Sequence, residues 1–320
     1  MDNDYDPRQV KWHMDSITFT LNPLPPFRLD LTVWVLRRRP DNLLDRWDGS
    51  IYQRALALRN GVAVVAVQQT GTAASPVLQV TLSAPHLATA MAHEAAETLG
   101  LMLGLHRDLS GFYKLAAHDA KLGALAGRFQ GVKPPRFPTL FEGFVNAIAC
   151  QQLTLTFGIQ LINRMVGAFG LPLSSKEGAP HAFPRPEDVA GLEPEAFRAL
   201  GFSRRKGETL IRLARTMLEG GLRMEELEAL DDVSVNSSLC SLKGIGRWSA
   251  EYIMLRTLGR INVFPGDDVG GQKNLQRWRQ LPDPLDYDGV RQQLIPWQSY
   301  GGLIYFHLLL DRLSEAGQLS

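Results

Sequence analysis

The stretch Leu239–Leu275, which reads LCSLKGIGRWSAEYIMLRTLGRINVFPGDDVGGQKNL, decides the fold of this chain. It contains a glycine turn, Leu242–Gly246, between the end of one helix and the start of a long amphipathic one. The loop Asn262–Gly266 then brings Asp267 and Asp268 to the start of a further helix. Glycines let backbone N–H groups approach an anion closely, and a helix N-terminus adds a favourable dipole. The stretch therefore predicts an anion-binding turn beside two carboxylates.

The composition limits the kinds of protein that this chain can be. Its 320 residues are enough for two domains, and its formal net charge of +1 means that any nucleic-acid affinity must come from a local patch. The two cysteines exclude a disulfide scaffold and four-cysteine zinc or iron–sulfur sites, and the seven histidines show no ligand spacing. We therefore predict no cofactor and no catalytic metal. The acidic N-terminus does not resemble a signal peptide, and no apolar run can span a bilayer, so a cytoplasmic location is expected.

Hydrophobic periodicity divides the chain into a β-rich part and a helical part. Strands are predicted at 17–21, 29–36, 52–58, 62–67 and 77–82, followed by a helix at about 85–105. The prediction is an α+β fold, with an N-terminal antiparallel sheet domain (15–110) packed on an all-helical domain (111–320), after a loose tail at 1–14. A stretch rich in Pro, Gly and Ser at 172–186 is predicted to be an exposed loop. The run Arg37–Arg39 is interpreted as solvated surface at the end of a strand, with DNA contact as the alternative.

The motif Leu242–Ala250, LKGIGRWSA, followed by Asp268, resembles the helix–hairpin–helix, Gly/Pro–Asp superfamily of DNA glycosylases. Within it, the chain is most similar to the DNA-3-methyladenine glycosylase II, or AlkA, type. The resemblance extends to Asn146–Thr154, Leu200–Lys206 and Pro296–Tyr300, and to the β-rich N-terminal part, so it covers nearly the full chain. It implies a monomeric base excision repair enzyme that flips a damaged, alkylated purine out of double-stranded DNA and hydrolyses its N-glycosidic bond.

The resemblance assigns Asp268 as the catalytic residue. Cleavage of the glycosidic bond builds positive charge on the deoxyribose, and a fixed carboxylate beneath the sugar stabilises that charge. Asp267 is predicted to be the N-cap of the helix that starts at Val269. Without the resemblance, the favoured explanation is that both acids are helix caps or solvated surface residues.

Aromatic residues are the candidates for the base pocket. Relatives with lyase activity carry, at the position of Trp248, a lysine that forms a Schiff base, so the resemblance implies a hydrolase without lyase activity. Trp248 and Tyr252 lie one helical turn apart and are predicted to form a wall of the pocket, where electron-rich rings suit a cationic base. Ordinary core packing is the alternative. Phe306 stands where close relatives place a further pocket tryptophan and is the third candidate.

Polar residues near the motif are candidates for DNA contacts. Gln152 is the candidate wedge that fills the gap left by the flipped base, whereas Gln151 is interpreted as a structural amide between helix ends. Phosphate contacts are predicted for Gly244, Gly246, Lys243, Arg247 and Arg204. The resemblance also implies a monovalent cation on the backbone carbonyls of Leu242 and Gly244.

Two alternative functions remain open from the sequence. The enzyme can act on an oxidised or deaminated base, because the polar Gln152 and the phenyl ring of Phe306 differ from the residues expected in the AlkA type. A protein of another class, which binds DNA through the hairpin without catalysis, also fits the glycine turn. The presence of Asp268 argues against this second alternative.

Overall fold

The computed structural model describes residues 14–319, and the predicted tail at 1–14 lies outside this range apart from Met14. Five antiparallel strands form one sheet in the order β1-β5-β4-β3-β2. Their bounds are β1 (Asp15–Leu21), β2 (Arg46–Trp47), β3 (Ile51–Leu58), β4 (Gly61–Gln69) and β5 (Leu78–Ala84). Each long strand alternates buried and more exposed residues, as expected for a sheet with one face on a core. The predicted N-terminal antiparallel sheet is confirmed.

The strand predicted at 29–36 is wrong, because this segment is helix α1 (Leu29–Arg37). Nearly all of its residues are buried, so no polar face reveals the helical period, and its valines and threonine favour a strand. The helix ends at Arg38, whose φ of 62° is left-handed. The interpretation of the arginine run as solvated surface is also wrong, since Arg37 and Arg38 are only 5% and 4% exposed.

The rest of the chain is mostly helical, as predicted. Helices preceding the glycine turn are α2 (Thr89–Met102), α3 (Ser110–Ala117), α4 (Ala120–Arg128), α5 (Leu140–Cys150), α6 (Leu155–Phe169), α7 (Pro186–Ala190), α8 (Pro194–Ala199), α9 (Arg204–Leu218), α10 (Met224–Ala229) and α11 (Asp232–Ser241). After the turn come α12 (Arg247–Arg256), α13 (Val269–Arg279), α14 (Tyr287–Leu294), a 3-10 helix (Ile295–Tyr300) and α15 (Gly301–Glu315). The segment predicted as a loop at 172–186 is partly ordered, because two short paired strands, β6 (Leu171–Pro172) and β7 (His181–Ala182), overlap it and leave residues 173–180 as the connection between them. The α+β class is confirmed, whereas the boundary at residue 110 stays a prediction.

Helix α12 lies between two hydrophobic cores. One core includes the sheet, α2, α5, α6 and α9, and contains Ala250 and Ile253 of α12. The other includes α1, α3, α4 and α15, and contains Leu255. Every residue from Ser249 to Arg256 is buried, so this helix is not amphipathic as the sequence suggested. From Ser249 onward the helix is therefore held by packing on all sides, whereas its first residues, Arg247 and Trp248, are exposed and half-buried.

None of the helices between residues 14 and 319 has both the length and the apolar character needed to cross a membrane.

Candidate active site

The glycine turn joins α11 to α12 and exposes backbone donors. Gly244 has φ of 97°, and a Cβ atom there would lie 2.7 Å from the Thr209 hydroxyl oxygen, so only glycine fits. Gly246 is the N-cap of α12, provides no side-chain cap and has open space around it. In the described part of the chain, the N–H groups of both glycines donate to no acceptor. The turn can therefore offer these donors to an anion at a helix N-terminus.

Asp268 is the N-cap of α13, which corrects the prediction that Asp267 has this role. Its Oδ1 accepts a hydrogen bond from the Gly271 N–H at 2.6 Å, and its Oδ2 accepts one from the Trp248 indole at 3.0 Å. Because Val269 is the first helical residue, the N-cap must be the residue directly before it. Asp267 instead accepts two hydrogen bonds from Arg247, at 2.7 and 3.0 Å.

A buried carboxyl group holds the loop that precedes Asp268. Glu251 of α12 accepts hydrogen bonds from the Gly266 N–H at 2.9 Å and from the Tyr287 hydroxyl at 2.7 Å. Burial raises the pKa of Glu251. A Cβ atom at Gly266 would lie 2.5 Å from the Tyr287 ring, so the loop passes close to α14. These contacts fix the position of Asp268 relative to α12.

A cleft of about 1440 Å³ brings most of the predicted site residues together. Its lining includes the turn from Gly244 to Gly246, both acids, and the candidate wedge Gln152. Trp248 and Tyr252 also line it, and their rings stack with centroids 5.2 Å apart and planes at 26°. One short helix thus supplies both rings, and the Trp248 indole nitrogen points at the Asp268 carboxylate.

Phe306 does not line the cleft, which corrects its prediction as a pocket residue. It is fully buried behind Arg256, whose guanidinium carbon lies 5.3 Å from the centre of the Phe306 ring. Tyr305 lines the cleft instead. Adjacent helix residues point about 100° apart, so a shift of one position moves a ring from the core to the cleft. A Cβ atom at Gly271 would lie 2.9 Å from the Tyr305 ring, which explains the glycine at the start of α13.

The two glutamines between α5 and α6 have different surroundings. Gln151 donates from Nε2 to the Gly244 carbonyl at 3.0 Å and to the Ser249 hydroxyl at 2.8 Å, so it braces the glycine turn. Gln152 is exposed on the cleft and has a left-handed φ of 55°. Leu153 beside it is 41% exposed. This corner therefore presents one amide and one apolar side chain to solvent.

Arg38 and Arg256 also line the cleft, and the sequence interpretation did not identify either as a site residue. Arg38 donates to the Tyr252 hydroxyl at 2.6 Å and to Asn146 Oδ1 at 2.5 Å. Arg256 donates to the carbonyls of Val35 and Leu36, at 2.6 and 3.3 Å. The sequence shows the run Arg37–Arg39, but nothing in its composition indicated that Arg38 is buried.

The basic candidates for phosphate contacts are dispersed. Arg204 lies outside the cleft lining and pairs with Glu195 and Glu208 on the surface. Arg247 lines the cleft but is held by Asp267, and its guanidinium lies over the Tyr287 ring, 3.6 Å from the centroid. Further basic groups lie near the turn. Lys243 is exposed, Arg205 is exposed on the cleft, and Lys206 donates to the Ala149 and Gln151 carbonyls.

The carbonyls predicted to hold a monovalent cation have other partners. The Gly244 carbonyl accepts from the Gln151 amide, and the Leu242 carbonyl accepts from the Ile245 N–H at 3.0 Å. The Arg212 guanidinium donates to the intervening Lys243 carbonyl at 3.2 Å. Each of the two predicted oxygens thus accepts one hydrogen bond and keeps one lone pair, so the cation site at Leu242 and Gly244 stays a prediction. Among residues 14–319, no cluster of His, Cys, Asp and Glu suits a metal.

Comparison with known proteins gives consistent matches. Residues 145–299 match the family described as HhH-GPD superfamily base excision DNA repair protein. The chain is 30% identical over 291 residues to the "Putative DNA-3-methyladenine glycosylase YfjP" of Bacillus subtilis, which covers 91% of this chain and 97% of that protein. It is 29% identical to the "DNA-3-methyladenine glycosylase 2" of Escherichia coli, over 88% of this chain and 94% of that one. The solved "3-methyladenine dna-glycosylase from Archaeoglobus fulgidus" superposes with a TM-score of 0.78 at 25% identity, over 92% and 98% of the two chains.

Proposed function

Because the chain belongs to the HhH-GPD superfamily of base excision DNA repair proteins, we propose that it is a monofunctional DNA glycosylase for alkylated purines. It acts as a monomer on double-stranded DNA, in the compartment that holds the chromosome. It turns the damaged nucleotide out of the stack, hydrolyses the bond between the base and the deoxyribose, and leaves an abasic site. The relatives named as 3-methyladenine glycosylases support an alkylated purine as the substrate.

The observation that carries this proposal is the Asp268 carboxylate, which shares one cleft with the donors of the glycine turn. A phosphate bound at Gly244 and Gly246 places the neighbouring sugar near this carboxylate. As the glycosidic bond breaks, the sugar becomes positively charged, and the fixed carboxylate stabilises it. Water then adds its hydroxyl group to C1′. The indole of Trp248 and the N–H of Gly271 hold the carboxylate so that it need not reorganise during the reaction.

The absence of lyase activity follows from the amines near the site. A Schiff base needs an unprotonated amine that can reach C1′, and Trp248 occupies the position at which lyases have that lysine. Among the described residues, Lys206 is the only lysine in the cleft lining. Its Nζ donates to two carbonyls at the end of α5, at 3.1 and 2.9 Å, and these hydrogen bonds must break before the amine can attack C1′. Strand cleavage is therefore expected only after alkali.

Gln152 is the proposed wedge. Its position on the exposed corner between α5 and α6, at the cleft, suits a side chain that enters the duplex where the base has left. Its amide can hydrogen-bond the orphaned partner base. Leu153 next to it provides apolar surface for the same gap.

The test is the variant Asp268→Asn, with Asp267→Asn as the matched control. Asparagine is as good an N-cap as aspartate, so α13 is retained while the negative charge is removed. We expect base release in a single-turnover assay on methylated duplex DNA to fall by at least about 100-fold, with DNA binding unchanged. The control loses only a surface ion pair and stays active. Full turnover by Asp268→Asn would falsify the assignment of this residue.

A second candidate substrate is a neutral, deaminated or oxidised base. It is favoured by the two buried guanidinium groups in the cleft, which can donate to carbonyl oxygens on such bases. A panel of duplexes, each with one lesion, separates the two candidates by their relative rates of excision. Release of any base excludes the remaining alternative, a DNA-binding protein without catalysis.

A further inference from the structure

Two buried positive charges line the cleft without a carboxylate partner. Arg38 and Arg256 are 4% and 1% exposed, and neither forms an ion pair within residues 14–319. Arg38 contacts a phenol and an amide, and Arg256 contacts backbone carbonyls. The Nε atom of each is buried and has no hydrogen-bond partner. The same is true of the Nε atom of Arg54, so this atom does not by itself indicate a ligand. What distinguishes Arg38 and Arg256 is that both line the cleft, where a ligand can supply acceptors to the guanidinium groups.

The nearest buried acids do not neutralise these charges. Asp45 and Glu142 both pair with Arg54, at 2.7 and 2.5 Å, so their charge is already matched in part by a third guanidinium. Burial raises the pKa of Glu142, and even when both carboxyls are ionised they carry two negative charges against three positive ones. The group formed by these three residues with Arg38 and Arg256 therefore has a net positive charge.

A chain of contacts connects the positive end of the cleft to the negative end. The Asp268 carboxylate accepts from Trp248, the Trp248 ring stacks on Tyr252, and the Tyr252 hydroxyl accepts from Arg38. The carboxylate thus lies at the Trp248 end of this series of contacts, and the Arg38 guanidinium lies at the Tyr252 end, where it is part of the cleft lining. A nucleotide whose sugar is near Asp268 places its base towards Arg38.

This polarity matches the charge movement of the reaction. The bond between C1′ and the base nitrogen breaks with both electrons going to the base, so the sugar gains positive charge and the base loses it. For a cationic base, the products with water are the hydroxylated sugar, the neutral base and a proton. For a neutral base, the departing base takes the proton. In both cases, a positive group at the base and a negative group at the sugar favour the transition state.

We propose that Arg38 is a catalytic residue on the base side of the cleft, where its guanidinium contacts the everted base and stabilises the electron pair that the base receives. This inference rests on the proposed glycosylase function and adds a group from the N-terminal part of the chain to it. Arg256, whose donors bind the end of α1, is assigned a supporting role. The charge on Arg38 favours bond cleavage for both kinds of base but opposes the initial binding of a cationic one.

The test compares Arg38→Met with Arg38→Lys on two otherwise identical duplexes, one with 7-methylguanine and one with hypoxanthine. With enzyme in excess, we expect Arg38→Met to slow the maximal rate on both duplexes by roughly tenfold. This is the effect of a unit charge on about half a charge that develops on the base, at about 5 Å and with an effective dielectric constant of about 20. For Arg38→Met, the enzyme concentration that gives half the maximal rate should be lower than for the unmodified protein on the 7-methylguanine duplex, because the like charge is gone. On the hypoxanthine duplex it should not be lower. Arg38→Lys restores most of the rate because it keeps the charge.

Several results would overturn the inference. An unchanged maximal rate for Arg38→Met means that the guanidinium is not catalytic, and weaker binding of both duplexes with a lowered melting temperature means that its role is structural. If Arg38→Met does not fold, Asn146→Ala is the second variant, because it removes one of the acceptors that orient Arg38. This variant must lower the maximal rate on both duplexes without weakening the binding of the 7-methylguanine duplex. If the unmodified protein releases neither base nor any other lesion of the panel, the proposed function itself fails.

Discussion

Asp268 combines two tasks in one side chain. One carboxylate oxygen caps α13, and the other accepts from the Trp248 indole at the edge of the cleft. A residue that is already needed as a cap lies in a fixed conformation, which is what electrostatic stabilisation of a transition state requires. The resemblance of the motif was sufficient to select Asp268 from the sequence. It could not show that this same residue, rather than Asp267, is the cap.

His307 is a second residue whose environment has a measurable consequence. Burial lowers its pKa from 6.5 to about 4, Nδ1 donates to the Leu303 carbonyl, and Nε2 has no partner. The ring lies among Phe112 and Phe129, with centroid distances of 5.0 and 6.5 Å. The folded protein therefore holds this histidine neutral, whereas the unfolded chain takes up a proton below about pH 6.5.

We predict that His307 contributes to acid denaturation. Because its folded-state pKa is depressed, its contribution to stability is complete above pH 6.5 and is lost as the pH falls towards 4, by up to about 3 kcal/mol. His307→Leu, which cannot titrate, should lose less unfolding free energy than the unmodified protein over this range. Urea denaturation at a series of pH values measures the difference, and the exposed His118, changed to Gln, is the control. Parallel curves for all three proteins would contradict the prediction.

At the scale of elements, the sequence was most informative where a turn or a strand follows a local rule. The glycine turn, its two flanking helices and the long strands β3 to β5 were all predicted, because alternation and glycine spacing are visible in the chain. Helix α1 was not, because a helix buried on all sides has no polar face and its β-branched residues favour a strand. The burial of helix α12 was not predicted for a related reason: two of its residues, Glu251 and Arg256, are polar but lie inside a core.

The glycine turn gives a prediction at this scale. Gly244→Ala should destabilise the protein by about 1–3 kcal/mol, because its left-handed backbone and the nearby Thr209 leave no room for a methyl group. Its affinity for undamaged duplex DNA should also fall as the turn is displaced. Gly246→Ala is the control for folding, since its φ of −102° and open surroundings accept a side chain. Chemical denaturation and a DNA titration of both variants check this, and equal stabilities would refute the packing argument.

At the scale of the whole molecule, buried charges connect the sheet to the helices. Arg54 on β3 pairs with Glu142 on α5, and Arg38 after α1 contacts Asn146 on the same helix. Such contacts cannot be predicted from one sequence, because each joins residues far apart in the chain and no local pattern reports which charges are buried. The sequence predicted that the N-terminal part packs on the helical part, but not which residues make the contacts.

Breaking the connection at Arg54 should destabilise the molecule as a whole. Arg54→Met leaves Asp45 and Glu142 buried without a cation, and we expect a loss of about 3–5 kcal/mol in unfolding free energy. The double variant Arg54→Met with Glu142→Gln should recover part of the loss, since it removes one of the stranded charges. Chemical denaturation measures both. Arg59→Met, on the exposed turn between β3 and β4, is the control and should change little.

The position of Arg38 has a consequence for incomplete copies of this protein. The glycine turn proposed to bind the strand and the aspartate proposed to lie beneath the sugar belong to the C-terminal part, whereas the guanidinium proposed to contact the base comes from the N-terminal part. A proteolytic fragment with only the C-terminal part would lack this guanidinium. It would also leave the core around Ala250 and Ile253 without the sheet that covers it. Such a fragment is therefore expected to be both less stable and slower in base release than the intact protein.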